Sequence, residues 1–263
     1  MPAQASLRFF GHATVLVELD GVRVLTDPLL EDRLGPLHRH GERIGGPLVG
    51  PIDVVAVSHA HHDHLHLRSL RGLAGRPRIV VPEGSARFLR GLENEIVELR
   101  AGARLAAGAV DIEAVHAEHT VRRGIFGPRL VALGYRLSGS SAVYFAGDTD
   151  LFPAMAQLAG TVDVALLPVW GWGPNLGRGH LDPQRAAEAA ALIRPRIAVP
   201  IHWGTFYPFA LSRMWPKPLA DPPIRFARAM AERAPRTEVR ILAPGESISF
   251  GPGDDSAARR QAH

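Results

Sequence analysis

Short apolar runs alternate with clusters of Gly, Pro, Asp and Asn along this chain, and that punctuation predicts strands. Runs rich in Val, Ile, Leu and aromatic residues fall at 13–19, 22–26, 53–57, 78–81, 110–115, 130–137, 142–145, 162–169, 196–200 and 239–242. About ten strands follow from that pattern. Helical spacing is clearest over 183–193, where Asp182 is placed as an N-cap, Pro183 occupies the first turn and Pro195 stops the helix. A second helix is expected over 224–233, with shorter ones over 65–73, 85–92 and 153–158. Hairpin-rich β in the first half gives way to alternating β and α in the second. Two sheets packed face to face, with helices on their outer faces, satisfy that order.

Composition narrows the class. With 46% hydrophobic and 21% charged residues the chain lies well away from the disordered class and is expected to fold. Its 263 residues suit one large α/β domain, placed at 1–250, with a small polar tail at 251–263 that is expected to fray. The net charge of +4 and the pI near 10.2 look basic, yet Lys217 is the only lysine and the arginines are interleaved with acids. That distribution argues against a nucleic-acid partner while leaving room for a local anion pocket. Cysteine is absent, which excludes a disulfide, a thiolate ligand and a cysteine nucleophile. There is no basic segment leading into an apolar stretch at the N-terminus and no run of about eighteen apolar residues, so no membrane span and a cytoplasmic location are expected. A homo-oligomeric state is left open.

The chemistry concentrates at Ser58-His59-Ala60-His61-His62-Asp63-His64-Leu65-His66. Such a tract suits a solvated patch, a loose metal-binding run or the floor of a catalytic metal site. It follows a buried-type strand, and polar residues at a strand end are well placed to line a site. His59 and His61 alternate with Ala60, so on an extended segment both imidazoles point the same way. Asp63 and His64 fall on the turn and reach a second position.

The spacing His-x-His-x-Asp-His resembles the metallo-β-lactamase superfamily, and further motifs arrive in that family's order. Val115-His116-Ala117-Glu118-His119 is taken to end a strand and is similar to the second metal motif. Phe145-Ala146-Gly147-Asp148-Thr149 resembles the Gly-Asp-Thr element, and Val199-Pro200-Ile201-His202-Trp203-Gly204 the last histidine motif. Phe10-Gly11-His12-Ala13-Thr14 with Leu25-Thr26-Asp27-Pro28 resembles the branch containing ascorbate-6-phosphate lactonases and N-acylphosphatidylethanolamine phospholipase D enzymes. The resemblance covers 7–207 and implies an α/β fold of the αββα sandwich type, two mixed β-sheets flanked by helices.

Carried over residue by residue, the resemblance implies one metal on His59, His61 and His119, another on Asp63, His64 and His202, and Asp148 between them. The implied cofactors are two divalent ions, with zinc best suited to imidazole plus carboxylate and manganese or iron also compatible. A metal-bridged hydroxide would then attack a phosphodiester, lactone or related ester, with a small-molecule or lipid-like substrate. Asp27 would accept a hydrogen bond from a metal-bound histidine; its plainer reading is a turn residue before Pro28. His180, in Gly179-His180-Leu181-Asp182-Pro183, is a candidate proton donor to the leaving group, against a plainer role at the helix entry.

Other residues carry weaker expectations. His12 is either a substrate contact or a buried histidine satisfied by backbone. Trp170 and Trp172 are read as a pocket wall, while Phe206, Tyr207, Phe209 and Trp215 are read mostly as core. Arg178, with Arg122 and Arg123, could meet a substrate phosphate, although solvated arginines are the commoner case. His62, His66 and His116 are expected outside the metal set. Two alternatives stand beside the hydrolase: a mononuclear-iron sulfur dioxygenase of the same fold, and a metal-binding member without turnover. A tRNA-maturation nuclease is disfavoured because no aromatic-basic strip is present, and a true β-lactamase because that branch lacks the bridging aspartate.

Overall fold

The computed structural model describes residues 5–41, 44, 50–123, 127–171 and 177–251. Trp172 and the tail from 252 onward lie outside them. In chain order the strands are β1 (Ala5–Gly11), β2 (Thr14–Leu19), β3 (Val22–Thr26), β4 (Arg33–Leu34), β5 (Leu37–Arg39) and β6 (Val54–Ala56), followed by helix α1 (Leu67–Arg71). Then come β7 (Arg78–Pro82), β8 (Ile96–Leu99), β9 (Arg104–Ala107), β10 (Val110–Arg122), β11 (Arg129–Ser138), β12 (Ala142–Phe145) and β13 (Val164–Pro168). The remainder is α2 (Pro183–Ile193), β14 (Ile197–Ile201), β15 (Phe206–Pro208), α3 (Phe209–Met214), α4 (Lys217–Arg233), β16 (Glu238–Val239) and β17 (Ser247–Phe250).

Two seven-stranded sheets result, ordered β17-β1-β2-β3-β6-β7-β8 and β16-β14-β13-β12-β11-β10-β9, with a small third sheet β15-β5-β4. Both large sheets are mixed: β1-β2-β3 and β9 to β12 run antiparallel, while β3-β6-β7-β8 and β12-β13-β14 run parallel. The period-two alternation of side chains sorts the core into layers. Val15, Val17, Val54 and Val80 from one sheet meet Ile112, Tyr135, Val143, Phe145 and Leu166 from the other. Their neighbours Leu16, Val55, Ile79 and Val81 face outward and pack with Leu65 and Leu70 at α1. Tyr144, Ala165 and Leu167 pack outward against Ala186, Ala190, Phe226 and Met230 of α2 and α4. The order helix, sheet, sheet, helix is the αββα sandwich expected from the sequence. Among the described residues no helix is long and apolar enough to cross a membrane.

Several local expectations are corrected. Seventeen strands form among the described residues where about ten were expected. Those missed include edge strands such as β9 and β17, each with a single buried residue, and the short β4 and β5. Such strands give little apolar signal because their pairing is fixed by neighbours. The helices expected over 85–92 and 153–158 are 3-10 turns at Ala86–Leu89 and Pro153–Leu158. Helix α4 starts at Lys217 rather than near 224, carrying Pro222 and Pro223 inside it; both are buried, so packing outweighs their missing N–H donors. Helix α2 matches its expected bounds, with the Asp182 carboxylate accepting from the Arg185 N–H. Phe206 and Tyr207 are buried, whereas Phe209 and Trp215 are about half exposed and are not core.

Candidate metal centre

The histidine tract leaves β6 pinned on both sides. The Val57 N–H donates to Val80 O, the Tyr135 hydroxyl to Val57 O and the Leu133 N–H to Ser58 O. From His61 the chain turns rather than staying extended, with the Leu65 N–H donating to His61 O at 2.8 Å. Arg123 clamps this turn through Ala60 O at 2.9 Å and Leu65 O at 3.0 Å, so it holds the loop carbonyls where the sequence allowed it a substrate phosphate. Arg122 and Arg178 are exposed.

His119 does not end a strand: it lies inside β10, where pairing with β11 slips between Ala117 and Val121. The irregularity re-aims the side chain off the regular alternation, as bulges do beside sites. Asp148 follows β12 through Gly147, whose φ is +61° and where an added Cβ would lie 2.5 Å from the Ser58 Cβ. Only glycine fits that approach. His202 (φ 61°) and His12 (φ 55°) are held in left-handed backbone by each other and by Thr205. The His202 N–H donates to His12 O at 2.7 Å and the His12 N–H to Thr205 Oγ1 at 2.7 Å.

These elements bring all the sequence-predicted ligand residues together. His61 Nδ1 lies 2.9 Å from His59 Nε2 and 3.3 Å from His119 Nε2. Asp63 Oδ2 lies 3.5 Å from His64 Nε2 and 3.9 Å from His202 Nε2. Asp148 stands between the groups, with Oδ2 at 3.3 Å from His64 Nε2 and 4.0 Å from His59 Nε2, and Oδ1 at 3.4 Å from His202 Nε2. His12 joins the second group through Asp63 Oδ2, 3.2 Å from its Nε2. Its ring is buried and lies 3.9 Å from that of His202.

The outer nitrogens fix the tautomers. His202 Nδ1 donates to Trp170 O at 2.7 Å and His119 Nδ1 to Gly179 O at 2.8 Å, and a carbonyl can only accept. His64 Nδ1 donates to Asp27 Oδ2 at 2.6 Å. Asp27 also receives the Ser58 N–H and hydroxyl, each at 2.6 Å. The Nε2 atoms of His64 and His202 face each other at 3.3 Å, with Asp148 oxygens 3.3 and 3.4 Å from them. Inward-facing imidazole nitrogens beside carboxylates form a donor set that fits a divalent metal.

Electrostatics agree. Burial pushes His59 well below the ordinary histidine value and takes His61 and His202 down to about 4, so their lone pairs stay available. Burial also works against a charge on His64, but the carboxylates of Asp148, Asp63 and Asp27 overcome it and raise His64 well above the usual range. Burial would raise Asp63 and Asp148, yet the surrounding histidines, led by His64 for Asp63 and His202 for Asp148, hold both carboxyls well below it. The pocket draws in positive charge.

His180 stands at the rim. Its Nε2 is 3.7 Å from Asp148 Oδ2, its ring centroid is 4.7 Å from that of His119, and its buried Nδ1 has no partner among the described residues. Gly179 positions it, with φ +87° and its N–H donating to Asp150 Oδ2. Trp170 offers its carbonyl to His202, and its ring centroid is 6.0 Å from that of Tyr207. His62 is exposed and meets Arg123, His66 caps α1 through the Ser69 N–H, and His116 is exposed beside Glu118. Sequence reasoning missed Ser58, Thr205 and the clamping role of Arg123. Ser58, directly before His59, was the legible one.

Comparison with known proteins agrees with this geometry. The chain matches the family described as the beta-lactamase superfamily domain over residues 22–203. It is 34% identical to a metal-dependent hydrolase of Methanopyrus kandleri, over 92% of this chain and 98% of that one. It is 29% identical to an N-acyl-phosphatidylethanolamine-hydrolyzing phospholipase D of Caenorhabditis elegans, over 80% of this chain and 66% of that one. The structure of Igni18, a metallo hydrolase from Ignicoccus hospitalis, superposes with a TM-score of 0.70 at 25% identity, covering 95% of this chain and 100% of that one. With a family match across most of its length and the sandwich fold to go with it, the chain belongs to the metallo-β-lactamase superfamily.

Proposed function

We propose that the protein is a metal-dependent hydrolase working at a dinuclear centre in a single domain at 1–250, and that its substrate is a phosphodiester, lactone or related ester of small-molecule or lipid-like kind. The observation that carries this is the convergence of the His64 and His202 Nε2 atoms, 3.3 Å apart, with Asp148 beside both. The ester class draws on the hydrolase and phospholipase relatives.

His59, His61 and His119 would hold one ion and Asp63, His64 and His202 the other, with Asp148 shared. Zinc is the preferred metal, and manganese or iron also suit the set. When bound, such ions would supply an activated water, its pKa lowered toward ~7, and withdraw charge from the ester oxygens. Asp27, Trp170 O and Gly179 O keep the inner nitrogens of His64, His202 and His119 free by taking the outer protons. His12 steadies the Asp63 carboxylate, its Nε2 lying 3.2 Å from Oδ2. His180 donates a proton to the leaving oxygen from the rim; Trp170, Arg178 and, outside the described residues, Trp172 are kept as candidate substrate contacts.

Metal analysis with a hydrolase panel of phosphodiester, lactone and N-acyl phospholipid substrates tests the reading. Two equivalents of metal and metal-dependent hydrolysis are expected. One iron with oxygen uptake on a persulfide would replace the reading by a sulfur dioxygenase, and two metals without turnover by a metal-binding protein.

Three further results are expected. His180→Gln lowers kcat by ~10²-fold or more on alkyl esters and much less on p-nitrophenyl esters, whose leaving group needs no proton. An equal loss on both would remove His180 as the acid. His62→Phe leaves metal content unchanged by elemental analysis, since that ring points to Arg123; loss of an ion would show the ligands to be misassigned. For pH, the lowered values of His61 and His202, near 4, mean that protons compete for these ligands only as pH falls toward that value. In stepwise acidification followed by metal analysis, the ion on His59, His61 and His119, all lowered, should therefore persist at pH about 6, while the set containing the raised His64 is the first to lose its ion to protons. Loss of both ions at or above the ordinary histidine value of about 6.5 would contradict this.

A further inference from the structure

Away from the centre, the C-terminal ends of α2 and α4 meet beside the start of β14 and enclose an open cavity of about 350 Å³. Four arginines line it, Arg194, Arg196, Arg233 and Arg236, between walls of alanine and proline. None of its lining residues belongs to the metal centre. The carboxylates facing these arginines account for only part of their charge. Arg196 pairs with Asp163 at 3.0 Å and Arg233 with Glu188 at 3.4 Å. Arg194 and Arg236 are exposed, and their guanidinium groups have no ion pair or hydrogen-bond partner among the described residues.

The plain account is that cations gather where two helices end. Each C-terminus carries a partial charge of about −0.5, which favours arginine there. Two such ends and two carboxylates do not balance four guanidiniums, so the cavity stays net positive. Arg194 is also shaped for the position. It caps α2 in left-handed backbone at φ 54°, while its N–H donates to Ala190 O. The cavity is larger than an inorganic phosphate requires and falls in the range of small-ligand pockets, roughly 300–1,000 Å³. Guanidinium forks match phosphate oxygens in pairs, and the apolar walls accept an uncharged body.

We propose that this cavity is a second binding site, for a phosphorylated small molecule bearing more than one negative charge, such as a nucleoside diphosphate. Its position bears on the centre. Helix α2 runs from Asp182, next to His180, to Arg194, and β14 runs from beside Arg196 to His202. The inference does not depend on the hydrolase reading, because its test reads binding rather than turnover.

Calorimetric titration of the full chain with pyrophosphate, ADP and adenosine at about 0.15 M ionic strength is the experiment. Pyrophosphate and ADP are expected to bind at one site per chain and adenosine not to bind. Arg194→Ala with Arg236→Ala should weaken ADP binding by about tenfold or more with an unchanged thermal unfolding midpoint, because charge-assisted contacts are lost. Arg178→Ala, on the side of the metal centre, should leave it unchanged. Absence of ADP and pyrophosphate binding would overturn the proposal. So would binding that survives the double variant, since the anion would then be going to the metal centre, or adenosine binding as tightly as ADP.

Discussion

Asp148→Ala is expected to abolish metal-dependent hydrolysis, with kcat falling on the order of 10³-fold or more, because on the proposed reading it removes the shared carboxylate and with it several kcal/mol of charge stabilisation. The side chain contacts His59, His64, His202 and His180, so its loss is felt in the site rather than in the core. Far-ultraviolet circular dichroism should be unchanged while elemental analysis shows fewer than two ions per chain. Asp148→Asn, which keeps the shape and removes the charge, should behave similarly. Full activity in either variant would refute the shared-carboxylate reading.

Asp27→Ala should damage both folding and metal affinity, and the two can be measured separately. The carboxylate is fully buried and accepts three hydrogen bonds, from the Ser58 N–H, the Ser58 hydroxyl and His64 Nδ1. Alanine takes that acceptor from all three, leaving the Ser58 hydroxyl only His59 Nδ1 at 2.9 Å and His64 Nδ1 at 3.4 Å, a change that costs about 3–5 kcal/mol when a buried charged partner is involved. Denaturant unfolding of the metal-free protein reads that cost. Zinc competition with a chelator reads the rest, an affinity loss of about 10–100-fold as His64 loses the group that holds its tautomer. Unchanged zinc affinity would reduce Asp27 to a turn residue with φ 31° before Pro28.

The candidate ligand set was legible because imidazoles and carboxylates are chemically distinctive and arrive in the order that the family resemblance implies, which is how His59, His61, Asp63, His64, His119, Asp148 and His202 were carried over. Their supports were less legible. Arg123 reads like any other arginine until the fold lays it across Ala60 and Leu65. Thr205 gains its role only because β1 and the segment after β14 meet at His12. The short edge strands escaped notice for a similar reason, since half of an edge strand faces water and its pairing comes from elsewhere.

By itself the sequence pointed to two packed sheets through strand periodicity, and through its resemblance to the metallo-β-lactamase superfamily it supplied the fold type and the candidate metal ligands, because periodicity and motif order are local properties of the chain. Only the tertiary structure decided that His119 reaches the site from a slipped register inside β10, and that His12 lies against Asp63. It alone turned Nε2 of His64 and of His202 toward one another and gathered four arginines at two helix ends. Those facts depend on groups from 12 to 202, or from 190 to 237, meeting in space. Hydrogen-bond direction and net local charge are set by such meetings, and no pattern along the chain encodes them.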